Sequence, residues 1–206
     1  MGKISENLKS NKEGHTKFIE AIILYFVYRD LSFSKTYFEK DNNMNLAGIL
    51  WDNAELFVVA HEYSHIILDH LSIEKEITKR YLFDYSMLYE VVRNWNEEFS
   101  ADKLALQTTL AYNNNKAGYG SFCCFLGIEF LFSCLSLIEE ATNCGCSETH
   151  PSAEMRINKL RQNLSSIIPD DAETIISGTC IIRDIVSDLW NTNKEMIYDI
   201  YNKILK

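Results

Sequence analysis

Residues 58–70, VVAHEYSHIILDH, set three histidines and a glutamate into an otherwise apolar run. Apolar spacing of this kind reads as a buried helix, and a buried imidazole needs a partner for its ring nitrogens. Such imidazoles tolerate burial when a divalent ion takes their lone pairs. His61 and His65 are four positions apart, which on an α-helix stacks their imidazoles on one face within reach of a single cation. This is the H-E-x-x-H arrangement. Glu62 lies between them, offset around the helix, where a carboxylate can touch a metal-bound water without ligating the metal.

Composition supports a helical reading, because only 8 glycines and 2 prolines punctuate 206 residues. The apolar fraction of 47% and charged fraction of 24% are those of a soluble domain, and the length suits one domain spanning 1–206. A net charge of −9 would repel a phosphate backbone, which argues against nucleic acid as a partner. The polar start, MGKISENLKSNKEGH, has no apolar core of a secretory signal, and Glu6 breaks the myristoylation pattern. A cytoplasmic setting is therefore expected, with Cys123, Cys124, Cys134, Cys144, Cys146 and Cys180 reduced. Cys144 and Cys146 have no second Cys or His pair at metal spacing nearby and read as thiols.

Along the chain, residues 17–31 read as a core helix and 44–50 as one short strand. Asp52 or Asn53, good N-cap types, would open a helix running to about Leu71. A second long helical pattern covers roughly 85–112 and stops at Asn113, Asn114 and Asn115. Residues 121–138 are long and apolar enough for a membrane span. Their narrow polar stripe of Glu129, Ser133, Ser136 and Glu140 favours a buried helix instead. Residues from His150 to Leu164 form a further helical pattern with Pro151 in its first turn. Two or three short helices finish the chain from 170 to 205. The fold expected is mainly α, with at most a small β-hairpin or edge strand.

H-E-x-x-H supplies two ligands, so a third decides its meaning. In NEEFSADKLAL, Glu98 precedes Asp102 by four positions, and both carboxylates project from one helix face. Glu98 can complete the ligand set while Asp102 accepts the Nδ1–H of a metal-binding histidine and fixes its tautomer. Glu97 is the rival ligand, but its four-residue partner is Ala101, which can orient nothing. His70 falls one position short of a metzincin's third histidine, and Leu68 stands in place of its glycine. It reads as a helix-end histidine interacting with the dipole or a neighbour. His150 is joined to Pro151, which restricts its backbone and can aim it at a site as an oxyanion donor or fourth ligand.

VVAHEYSHIILDH, EEFSADKLAL and THPSAEMRINKLR together resemble, in order and style, the M48-type gluzincin metallopeptidases. The resemblance covers roughly residues 50–165, leaving C-terminal helices over 166–206. It implies a zincin-like domain with Zn²⁺ held by His61, His65 and Glu98, Glu62 as catalytic base and Asp102 behind the ligands. It also implies peptide-bond hydrolysis by a zinc-activated water. Separately, if 44–50 is an edge strand, a substrate strand could pair with it, which would favour extended or unfolded polypeptides. Two alternatives stay open. One is a cytosolic zinc peptidase of the ImmA/IrrE kind, or a phage- or defence-associated one, that cleaves a specific regulator. The other is a non-catalytic zinc-bearing interaction protein, against which an intact Glu62 argues.

Overall fold

A computed structural model describes residues 12–24, 43–70, 77–82, 86–91, 95–114, 120–142 and 151–204. In chain order the elements are α1 (Lys12–Ile23), α2 (Asn43–Ile67), β1 (Ile77–Leu82), β2 (Ser86–Val91), α3 (Trp95–Asn114), α4 (Gly120–Thr142), α5 (Ala153–Ile167) and α6 (Pro169–Ile204). The fold is mainly α. Among the described residues the sheet is one antiparallel hairpin, in register from Ile77 opposite Val91 to Leu82 opposite Ser86.

Helix α2 begins at Asn43, so the strand expected over 44–50 is corrected to the first turns of this helix. Asn53 gives the reason. Its Nδ2 donates to the Ile49 carbonyl at 2.8 Å, a bond that requires the helix already to run through residue 49. Its Oδ1 accepts from Asn113 Nδ2 of α3 at 3.0 Å, and Asn113 also donates to Thr109 O. Both asparagines are buried. Residues that resemble a cap and a stop signal in sequence instead form a polar link between two helices.

The helix expected over 85–112 is also corrected. Ser86–Val91 is strand β2, and α3 begins at Trp95. Tyr89 and Val91 are good strand formers, and the deciding contribution is backbone pairing with β1, which no local period reveals. Pro151 lies just before the cap of α5 rather than in its first turn, because Ser152 is the N-cap and its Oγ accepts the Met155 N–H at 3.2 Å. The short helices expected from 170 onward are one helix of 36 residues, opened by Pro169 with Asp170 and Asp171 in its first turn. Gly178 does not break it. A Cβ there would stand 2.7 Å from Phe122 Cε2, so glycine makes room for that ring.

The chain divides into two compact units, residues 42–183 and residues 1–41 with 184–206. In the larger one, Phe57 of α2, Leu106 of α3, Phe125, Ile128 and Phe132 of α4, and Leu160 and Leu164 of α5 form the buried core. Each such side chain contributes roughly 1.5–3 kcal/mol by leaving water. Gly127 sets the approach of α4 to α2: a Cβ would lie 2.5 Å from Asn53 Cβ and 2.9 Å from Leu50 O. The polar stripe of α4 is used internally. Glu129, buried, receives two hydrogen bonds from Arg161 of α5 at 2.8 and 2.7 Å, and Ser133 Oγ donates to Glu129 O. By length and composition Gly120–Ala141 could cross a membrane; half of that stretch is buried inside the fold.

In the smaller unit, Asn193 Nδ2 lies 2.8 Å from His15 Nδ1 of α1. Trp190 is buried and meets Tyr198 edge-on at 5.9 Å. Of the core helix expected over 17–31, residues 17–24 are described, and the remainder lies outside the described residues.

Candidate metal centre

A helical repeat of 3.6 places His61 and His65 one turn apart on the inner face of α2, where both are buried. Across from them, the same repeat brings Glu98 and Asp102 of α3 onto one buried face, with fully buried Ala101 beside them. His61 Nε2 stands 3.1 Å from His65 Nε2. Glu98 faces both, with Oε2 3.6 Å from His61 Nε2 and Oε1 3.6 Å from His65 Nε2. His61, His65 and Glu98 are thus a buried group able to bind a metal ion. Donors about 2.0–2.1 Å from a tetrahedral ion are about 3.3 Å from one another, so this spacing fits a small divalent cation.

The hydrogen bonding behind His61 supports the same fit. Its Nδ1 is 2.9 Å from Asp102 Oδ1, so the ring proton sits on Nδ1 and donates to the carboxylate. The Nε2 lone pair therefore faces inward, towards a second imidazole and a carboxylate. Electron-rich atoms gathered this closely away from water repel one another unless a proton or a cation lies among them. The donor set of two imidazoles and one carboxylate suits zinc.

Asp102 is itself clamped from α5. Arg156 donates from Nε to Asp102 Oδ2 at 2.9 Å and from Nη2 to Oδ1 at 2.7 Å. Burial raises the Asp102 pKa, but the bonds and charge of Arg156, with those of His61, outweigh it and hold the carboxyl below its ordinary 3.8. Burial likewise pulls the Arg156 guanidinium down, and Asp102, Glu98 and Glu139 more than restore it. Arg156 Nη1 stands 3.6 Å from Glu98 Oε2, and its guanidinium lies over the Phe132 ring at 5.1 Å. Sequence reasoning gave Arg156 no role. Its available signal was its place in the helix that follows T-H-P.

The remaining candidates fall as follows. Glu62 is exposed on α2, beside His61. Glu97 is half-buried, and Glu98 rather than Glu97 joins the imidazoles. His70 lies just past the end of α2 with Nδ1 2.9 Å from His65 Nδ1. His150, Cys144 and Cys146 lie outside the described residues.

The family model described as Peptidase U49 matches residues 27–176, more than half of the chain and the whole of the metal-binding group. No curated protein and no solved structure matches it.

Proposed function

The chain belongs to the Peptidase U49 family, and from that premise we propose that it is a zinc metalloendopeptidase of the gluzincin type implied by its likeness to M48 peptidases. The observation that carries the proposal is the buried meeting of His61 Nε2, His65 Nε2 and the Glu98 carboxylate at 3.1–3.6 Å. These residues would hold the zinc ion. When bound, the ion lowers the pKa of a coordinated water towards about 7 and polarises a substrate carbonyl.

The protein's own groups do the rest. Asp102 holds the proton on His61 Nδ1, keeping the Nε2 lone pair available. Glu62 takes a proton from the attacking water and passes it to the leaving nitrogen. His150 enters as a proposed oxyanion donor from sequence alone, and a cytosolic setting is proposed on the same basis.

A polypeptide substrate agrees with the surroundings of Glu62, where Val58, Val59, Tyr63 and Ile66 are all exposed on α2. Isolated exposed apolar residues are ordinary, but a strip beside a general base offers binding area to a peptide's apolar side chains. The deciding experiment is Glu62→Gln. The variant should bind zinc as the wild type does, measured by metal analysis, and lose at least about a thousandfold in cleavage of an unfolded protein substrate. Retention of full cleavage would remove Glu62 from the mechanism.

A further inference from the structure

His65 is fully buried, and its Nδ1 lies 2.9 Å from His70 Nδ1. Two ring nitrogens at that distance share one proton: two protons would clash, and two lone pairs would repel. The other nitrogen of His65, Nε2, is the atom that faces His61 and Glu98. For Nε2 to present a lone pair, the His65 proton must be on Nδ1, and His70 Nδ1 must accept it. His70 then carries its own proton on Nε2, on the side of Ser100 Oγ 3.5 Å away.

The backbone explains why His70 is there. Helix α2 ends in two return bonds, from Asp69 N–H to Ile66 O at 3.2 Å and from His70 N–H to His65 O at 2.9 Å. With Asp69 at φ 56°, this is the Schellman pattern. That pattern brings the second residue beyond the cap back against the residue five positions earlier, usually as an apolar contact. Here the contact is an imidazole on an imidazole. An aspartate in the left-handed region is less favourable than glycine, so the turn holds its shape at a cost in strain.

We infer that His70 is a positioning residue for His65, accepting the Nδ1–H that commits Nε2 to the metal, as Asp102 does for His61. This rests on the proposed metal centre. The two histidines on α2 are thus held by different acceptors, a carboxylate from α3 for one and a neutral imidazole from the end of their own helix for the other.

The test compares His70→Leu with His70→Asn by competition with a chromophoric zinc chelator, alongside ¹⁵N-histidine spectra of the zinc-loaded wild type. Asn Oδ1 falls near the position of His Nδ1 and can accept the same proton. Leu should weaken zinc binding about 10–100-fold, and Asn should restore it to within about threefold. The spectra should show His65 protonated on Nδ1 and His70 on Nε2. Wild-type-like affinity in His70→Leu, equal losses in Leu and Asn, or a His70 proton on Nδ1 would each overturn this inference alone. A wild-type chain that takes up no zinc would overturn the metal centre with it. Should the Leu variant fail to fold, the Asn variant and the spectra still decide.

Discussion

Arg156→Met tests the electrostatics of the site without reference to activity. Methionine keeps a flexible apolar stem near Phe132 but removes both hydrogen bonds to Asp102 and the charge 3.6 Å from Glu98. Asp102 is then left as a buried carboxylate one turn from another, with the Nδ1–H of His61 on it. Removing one partner of a buried ion pair costs about 3–5 kcal/mol. The Arg156 side chain is 17% exposed, so the lower end applies, about 3 kcal/mol. For a chain of this length that corresponds to a fall in Tm of roughly 6–12 °C. Urea unfolding of the metal-free chain at pH 7 reads the change directly. Adding Asp102→Asn removes the stranded charge, so the double variant should be more stable than additivity predicts by about 1.5 kcal/mol or more.

The same experiment has a sign in pH. In the wild type, the depressed Asp102 pKa gives stability that is present above the ordinary 3.8 and lost as pH falls through the lower folded value. Without Arg156 that pKa moves up from its wild-type position, because burial is then opposed by His61 alone, so a proton on the carboxyl relieves the variant. The deficit of Arg156→Met should therefore shrink as the pH is lowered. A loss under about 1 kcal/mol, strict additivity of the two substitutions, or a deficit that grows on acidification would each refute this account of the clamp.

Zinc at about a hundred times its dissociation constant should stabilise the chain by about 2.7 kcal/mol, or roughly 5–11 °C in Tm, reversed by chelator; an unchanged melting curve would contradict a metal centre at His61, His65 and Glu98. Gly127→Ala should lower stability by about 1–3 kcal/mol, because its Cβ would meet Asn53 Cβ at 2.5 Å. Gly48→Ala, with nothing among the described residues within 4 Å of its Cβ, should raise stability by about 0.5–1 kcal/mol. Equal effects at the two glycines would show that helix propensity rather than the α2–α4 approach sets the outcome.

The parts of the site legible in sequence were those that obey a helical repeat. His61 with His65, and Glu98 with Asp102, each lie one turn apart, and burial of Glu98 beside Ala101 separates it from Glu97. What escaped were contacts between distant segments. Asn53 has the side chain of a helix cap, and its partner Asn113 lies 60 positions on, so nothing local could reveal that α2 starts earlier. The stretch from Ser86 to Val91 falls inside a helical pattern in sequence, because strand character there depends on pairing with Ile77–Leu82. Gly178 looks like punctuation until Phe122 is seen beside it. Arg156 was visible as a cation, but which acid it served depended on how α5 crosses α3. The mainly α class needed none of this, since scarce breakers and long apolar periods determine it.

Because Arg156 comes from α5, the His61–His65–Glu98 group does not make a self-sufficient module. A fragment ending at Thr142 would keep His61, His65, Glu98, Glu62 and Asp102, yet would lose the counter-charge that lets two acids share a dry interior. A transplant of this centre into another scaffold must carry three helices, or replace the guanidinium with another cation that reaches Asp102 from outside the ligand pair.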